Sequence, residues 1–185
     1  MQLQSEEKPE CEYLVLLWDG MSMIDEREKK KMLDETAKLL EMENAQLYAF
    51  ALMDRSFHLL AGEMEGHSLC PLFSDSFPAL EHLNIYHTRV NSDRDLVAKS
   101  CEIHRIPIKN GFAARPSDYW WSSCRAYLGY YTWPMLDTGR ILGILNERLD
   151  RARIQYRRLL SADAGKGKKA LTQVSMAAEK LIKYG

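Results

Sequence analysis

The residues best suited to chemistry form a basic run in the last quarter of the chain. Arginine donates two parallel hydrogen bonds from one planar group, a geometry that matches phosphate oxygens, and lysine adds a mobile positive charge. Such a run is typical of a surface that binds the DNA backbone and equally of a solvated helix face, and both interpretations stay open. The candidate DNA-binding residues are Arg148, Arg151, Arg153, Arg157, Arg158, Lys166, Lys168 and Lys169.

Charge is divided unevenly between the two halves of the chain. Residues 1–100 hold 10 basic and 19 acidic residues (net −9), whereas residues 101–185 hold 15 basic and 7 acidic residues (net +8). An asymmetry of this size indicates that the basic half contacts a polyanion. The alternative is that two complementary faces of one protein neutralise each other.

A single histidine and an aromatic cluster are the other candidates. His58 lies alone on a predicted strand, a placement more typical of a hydrogen-bonded core histidine than of a metal ligand. Tyr119, Trp120, Trp121 and Tyr127 could stack on nucleobases. The pattern favours the other interpretation, a small core that docks the C-terminal part of the chain on a sheet.

Composition excludes several classes of protein. The 185 residues are 46% hydrophobic and 28% charged, which is typical of a globular domain and argues against disorder or a coiled coil. The four cysteines form no CxxC pair, so neither a disulfide framework nor a zinc ribbon is indicated. No apolar run approaches the roughly 20 residues of a membrane span, and the polar N-terminus does not resemble a signal peptide. We expect a reduced, cytoplasmic protein.

The first 115 residues have the pattern of a sheet with helices. Apolar runs predict strands at 13–18, 46–53, 56–61 and 85–90, helices at 25–43 and 92–105, and a short helix near 77–83. Asp54-Arg55 separates two strands and predicts a hairpin, and Pro107 is expected to end the last helix. This order predicts an α+β, ferredoxin-like split βαβ antiparallel sheet with helices on one face.

The remainder of the chain has a different sequence pattern. An aromatic, loop-like segment at 116–129 precedes two short predicted helices at 137–146 and 150–160. A flexible basic linker at 161–169 and a last helix at 171–184 follow. We therefore predict a domain at 1–115, then an aromatic docking segment and a basic C-terminal helical extension at 116–185.

Three segments together carry a family resemblance. Tyr48–Leu60 reads YAFALMDRSFHLL, Glu102–Ala114 reads EIHRIPIKNGFAA and Pro116–Gly129 reads PSDYWWSSCRAYLG. The set resembles the REP-associated tyrosine transposases and their insertion-sequence relatives, the single-tyrosine HUH transposases. The third segment is the most specific, and Leu136–Leu160 is similar to the family's C-terminal helical module. The resemblance covers most of residues 12–160.

The resemblance implies a known chemistry. Such transposases cut and rejoin single-stranded DNA beside a hairpin, through a tyrosine that forms a covalent DNA adduct. Two histidines on a strand and a polar residue on the tyrosine helix hold Mg²⁺ or Mn²⁺. The two histidine positions fall on Ser56 and His58, the nucleophile position on Glu102, and the third-ligand position on Ile106.

Three of these four positions are substituted. Ser56 is a weak ligand, Ile106 has no ligating atom, and the carboxylate of Glu102 would repel the phosphodiester that a tyrosine attacks. The resemblance therefore implies a degenerate site without catalytic residues and without a metal cofactor.

Three functions follow from these observations. The leading prediction is a transposase-like protein that binds hairpin or single-stranded DNA without strand transfer, located in the cytoplasm on the nucleoid. The first alternative is an active metal-dependent transposase or nuclease with relocated residues, for which Tyr86, His87 and Tyr119 are candidates. The second is a protein-interaction module or homodimer, since a shortened crossover helix could leave an apolar sheet face exposed.

Overall fold

A four-stranded antiparallel sheet lies at the centre of the fold, with strand order β2-β3-β1-β4. The computed structural model describes residues 11–18, 24–62, 68–77, 80 and 82–162. The strands are β1 (Cys11–Leu17), β2 (Leu47–Leu52), β3 (Ser56–Gly62) and β4 (Asn84–Val90). The helices are α1 (Glu26–Met42), α2 (Cys70–Ser76), α3 (Asp93–Lys109), α4 (Cys124–Tyr127), α5 (Gly139–Leu145) and α6 (Leu149–Ala162). The predicted helix at 171–184 lies outside the described residues.

The strand order confirms the predicted split βαβ arrangement. β3 lies between β1 and β2 and pairs antiparallel with both, and β4 pairs antiparallel with the other edge of β1. The predicted hairpin is also present, because the Met53 amide donates to the Ser56 carbonyl (2.8 Å) across Asp54-Arg55. The α+β fold class is therefore confirmed.

Helices cover both faces of the sheet, so the prediction of helices on one face was incomplete. The crossover helices α1 and α2 pack on one face, against Leu14 and Leu16 of β1. α3, α5 and α6 pack on the other, against Tyr13 and Val15. Because β1, β2 and β3 are buried along their whole length, both faces are apolar and each needs a covering layer.

α1 begins where the sequence places it. The Asp25 side chain accepts a hydrogen bond from the Glu28 amide (2.8 Å), and the Glu28 side chain accepts one from the Asp25 amide (2.9 Å). This reciprocal capping box satisfies two of the amides that a helix N-terminus leaves unpaired. The helix then buries Met32 and Leu40 against the sheet.

α3 continues through Pro107, so the predicted end at residue 105 was wrong. The Ser92 hydroxyl caps its start by accepting a hydrogen bond from the Asp95 amide (3.1 Å). Pro107 lies in the last turn, where its missing amide removes a single helical hydrogen bond, and its side chain is buried. Burial of the neighbouring Ile106 in the core holds this turn in place.

α2 forms at Cys70–Ser76 and not near 77–83 as predicted. Glu12 on β1 accepts hydrogen bonds from the Ser68 hydroxyl (2.7 Å) and the Leu69 amide (2.8 Å), and so fixes where the helix begins. Leu69 and Phe73 are buried against the sheet. The expectation of an exposed apolar face was therefore wrong, because α1 and α2 cover that face within one chain.

The C-terminal segment completes the β2 edge of the sheet. The Leu52 amide donates to the Trp121 carbonyl (2.8 Å), and Leu47 forms a parallel bridge with Leu136. The division at residue 115 stays a prediction. Among the described residues, no helix is long and apolar enough to cross a membrane.

Candidate functional site

The positions of the predicted degenerate site lie on β3 and α3, two elements that pack together. Ser56 and His58 lie two residues apart on β3 and are 2% and 3% exposed. Glu102 and Ile106 lie four residues apart on α3, which packs on β2 and β3. The structure therefore places all four positions on the two elements that the resemblance implies.

His58 is bound into the core by a tyrosine. Tyr13 Oη and His58 Nδ1 are 2.8 Å apart and form a hydrogen bond, and the two rings are stacked. Burial, and then the positive charges of Lys99 and Lys109, lower the pKa of His58 to about 3. The imidazole is therefore neutral at pH 7, and its buried Nε2 has no hydrogen-bond partner among the described residues.

Lys99 and Glu102 close the site on the helix side. The Lys99 ammonium lies 4.5 Å from the centroid of the Tyr13 ring and 2.6 Å from Glu102 Oε2. Both side chains are largely buried, and their opposite charges compensate each other. Glu102 therefore has a partner in the fold, and Tyr13 joins His58 to this pair.

The donor set does not fit a divalent cation. Ile106 offers no ligating atom, Ser56 offers a weak neutral one, and one nitrogen of His58 is bonded to Tyr13. Lys99 adds a positive charge beside the histidine, which disfavours a second cation. Within the described ranges, no three His, Cys, Asp or Glu residues are grouped as metal ligands.

The three residues considered for a relocated active site are hydrogen-bonded or packed in other parts of the fold. The Tyr119 hydroxyl donates to the Leu52 carbonyl (2.9 Å), and burial raises the pKa of this tyrosine. His87 Nδ1 pairs with the buried Glu12 carboxylate (2.5 Å) on the other side of β1. Tyr86 is half-buried against the core that α3 covers. A tyrosine hydroxyl that donates to a carbonyl and has a raised pKa is a poor nucleophile.

A second buried histidine, which no motif in the sequence singles out, joins α3 to the C-terminal segment. His104 Nε2 lies 2.6 Å from Ser123 Oγ, and His104 Nδ1 lies 2.8 Å from Tyr156 Oη. Tyr156 donates in turn to Ser100 (3.0 Å), and Ser123 accepts from the Phe50 amide (2.9 Å). A neutral imidazole with its proton on Nδ1 gives every donor and acceptor in this hydrogen-bond network a partner.

Burial explains the protonation state of His104. The residue is fully buried, and desolvation, followed by the charge of Arg105, lowers its pKa to about 3. The signal in the sequence is weak: Ser100 and His104 recur four residues apart on the buried face of α3. Their partners Ser123 and Tyr156 are distant in sequence, so only the fold brings the network together.

The aromatic segment divides into a buried and an exposed part. Tyr119 and Tyr127 are buried, and the Tyr127 hydroxyl donates to the Tyr48 carbonyl (2.6 Å). These two residues dock the segment on the sheet, as the favoured interpretation predicted. Trp120, by contrast, is 66% exposed, and Trp121 is half-buried.

The described part of the basic run lies on α6 and at the residue before it, and α6 has one buried face. Ala152, Tyr156 and Leu160 recur every four residues and are buried in the core. Of the predicted DNA-binding residues, Arg151, Arg157 and Arg158 lie outside this buried face, and no carboxylate of the described chain pairs with them. Arg148 pairs with Asp150 (3.1 Å), and Lys166, Lys168 and Lys169 lie outside the described residues.

Arg153 is used differently from its neighbours. It is half-buried, and a Cβ built on Gly129 would lie 2.9 Å from its Cζ atom. Gly129 follows α4 with φ of 84°, a left-handed conformation that favours glycine. The guanidinium therefore packs on a bare backbone and holds α6 against the aromatic segment.

Replacing Gly129 with alanine is expected to destabilise the protein by more than the usual cost of about 1–2 kcal/mol for a left-handed alanine. The added methyl group would also displace Arg153. Gly111→Ala is the matched control, because Gly111 has φ of 77° and a methyl group added there would meet nothing within 4 Å. Urea unfolding measures both variants, and equal losses would contradict a structural role for the Arg153 contact.

The fold is similar to that of a solved transposase structure. The structure of a REP-associated tyrosine transposase bound to a REP hairpin aligns with a TM-score of 0.57 and 13% sequence identity. The alignment covers 69% of this chain and 83% of that one. No protein-family model and no curated protein matches the sequence. The comparison shows that this chain has a transposase-like fold.

Proposed function

We propose that the protein binds hairpin or single-stranded DNA and does not carry out strand transfer. The observation that carries the proposal is the outer face of α6, where Arg151, Arg157 and Arg158 have no carboxylate partner in the described chain. Unpaired arginines on one helix face attract the phosphate backbone. The similar transposase was solved with a DNA hairpin, which supports a nucleic acid as the partner.

The loss of strand transfer is supported by the site between β3 and α3. Glu102 replaces the nucleophile that the resemblance implies and pairs with Lys99. Ser56 and His58 are almost inaccessible to solvent, and Tyr13 is fully buried. The burial of these side chains and a donor set that does not fit Mg²⁺ or Mn²⁺ both support the proposal. On this proposal the protein needs no cofactor and acts on the nucleoid in the cytoplasm.

A binding titration, with a check for DNA cleavage in the same samples, tests the proposal. Purified protein is mixed with labelled hairpin, single-stranded and duplex DNA at low and moderate salt, with Mg²⁺ or Mn²⁺, and part of each sample is run on a denaturing gel. We expect salt-sensitive binding to the hairpin and unchanged DNA on the gel. A nick or a covalent adduct would instead establish relocated chemistry.

The protein-interaction alternative predicts a different result in the same samples. A protein that binds no DNA at low salt, and that elutes as a homodimer by light scattering, would assign the basic face to the protein itself. This outcome would leave the transposase-like fold unchanged and would overturn the proposed function.

A further inference from the structure

We propose that Trp120, Arg125 and Tyr130 form a stacking site for an unpaired nucleobase. This inference rests on the proposed function, because it names the part of the DNA that the protein contacts away from α6. These three residues make up a stacking platform. Neither the basic run nor the site between β3 and α3 includes any of them.

The platform exposes two aromatic rings around one guanidinium. Arg125 Cζ lies 4.3 Å from the centroid of the Trp120 ring and 5.6 Å from that of Tyr130. Trp120 is 66% exposed and Tyr130 is 57% exposed, so both rings offer surface to a ligand. An arginine on an aromatic face adds a delocalised cation that itself stacks on a base.

The backbone beneath the platform is fixed to the sheet. The Trp121 carbonyl accepts from the Leu52 amide (2.8 Å), and the Ser123 amide donates to the Phe50 carbonyl (3.0 Å). The Tyr130 amide donates to the Arg125 carbonyl (2.9 Å), which ties the two sides of the platform together. A surface held in this way loses little conformational freedom when it binds.

Charge favours a nucleic acid over a protein as the occupant. Arg125 has no ion pair among the described residues, and its buried Nε has no hydrogen-bond partner there. Arg153 of α6 packs on Gly129, the residue before Tyr130, so the platform adjoins the helix that carries Arg151, Arg157 and Arg158. Aromatic rings beside a positively charged track are typical of single-strand binding surfaces.

The outer face of α6 and the stacking platform suit different parts of a DNA hairpin. α6 presents charge without exposed aromatic rings, which suits the phosphates of a duplex stem. The platform presents rings, which contact a base only where it is unpaired, at a flank or in a loop. The platform therefore distinguishes a stem with an unpaired flank from the same stem without one.

The test compares two DNAs and three variants. The DNAs are a blunt duplex and the same stem with a short single-stranded flank; the variants are Trp120→Ala, Trp120→Phe and Phe112→Ala. We expect Trp120→Ala to weaken binding of the flanked DNA by about fivefold or more, from the usual size of base stacking, and to leave the blunt duplex unchanged. Trp120→Phe keeps a ring and should retain most of the affinity.

Phe112→Ala is the matched control for loss of an exposed ring. Phe112 is 44% exposed and packs on the Tyr119 ring with 5.8 Å between centroids, away from any guanidinium contact of the platform. We expect this variant to bind both DNAs as the wild type does. Equal weakening by Phe112→Ala and Trp120→Ala would overturn the assignment of the platform.

Tryptophan fluorescence gives a second readout. Stacking on a base quenches an indole, and Trp120 is far more exposed than the 4% exposed Trp18. We expect an unpaired oligonucleotide to quench wild-type emission and to quench Trp120→Phe much less. If wild type binds both DNAs and Trp120→Ala weakens neither complex, the platform does not bind a base and this inference fails alone. If wild type binds no DNA, the proposed function fails with it.

Discussion

Replacing His104 with glutamine is expected to flatten the pH dependence of unfolding between pH 6.5 and about 3. In the folded protein the pKa of His104 is lowered to about 3, whereas an unfolded histidine titrates near 6.5. Between these values the unfolded state binds one more proton than the folded state. The free energy of unfolding therefore rises with pH across this window, by about 1.4 kcal/mol per pH unit for one histidine.

The stabilisation from His104 is complete above pH 6.5 and is lost as the pH falls towards 3. His58 has the same lowered pKa and adds a second proton to the slope. Glutamine does not titrate, so His104→Gln and His58→Gln should each remove about one proton from the slope and leave the contribution of the other histidine. Urea unfolding at a series of pH values from 7 to 4 measures this difference between each variant and wild type.

Ser123→Ala separates the titration from the loss of a hydrogen bond. This variant removes the hydroxyl that contacts His104 Nε2 and leaves the histidine in place. We expect it to lower the free energy of unfolding by about 1–3 kcal/mol, the usual cost of leaving a buried polar group without its partner, and to keep the wild-type slope. A His104→Gln protein with an unchanged slope would show that this histidine is protonated in the folded state.

Local patterns predicted most of the fold. Apolar runs placed all four strands, and Asp54-Arg55 placed the hairpin, because these signals lie within a few residues of each other. The start of α2 depends on the Glu12 carboxylate, which reaches Leu69 from a strand far away in sequence. The helices on the second face follow from a sheet that is apolar on both sides, a property that a split βαβ pattern leaves open.

The site was predicted in part for the same reason. Alternation along a strand puts Ser56 and His58 on one face, so their proximity follows from sequence. Tyr13 becomes a neighbour of His58 only through the register of β1 and β3, in which Tyr13 pairs with Leu60 and Val15 pairs with His58. A diagonal contact across two strands carries no local signal, and neither does the bond from His104 to Tyr156.

Replacing Arg151, Arg157 and Arg158 of α6 with glutamine is expected to weaken DNA binding on the order of a hundredfold or more at low salt. Each arginine that contacts a phosphate releases a counterion, and contributes about 0.7–0.9 to the slope of log affinity against log salt. Loss of Arg151, Arg157 and Arg158 should therefore reduce the magnitude of that slope by roughly 2–3. Titration of labelled hairpin DNA at several salt concentrations measures both quantities.

The matched control changes net charge by the same amount at three cations that already have partners. Lys30 pairs with Asp34 (2.6 Å), Lys31 with Glu35 (3.8 Å), and Arg115 with Asp118 (3.0 Å). A cation paired with a carboxylate attracts a phosphate less strongly. Glutamine at these three positions should therefore change the salt slope far less. If both triple variants lose slope equally, net charge attracts the DNA and α6 is not the binding surface. If only the α6 variant loses slope, its arginines lie against the phosphates.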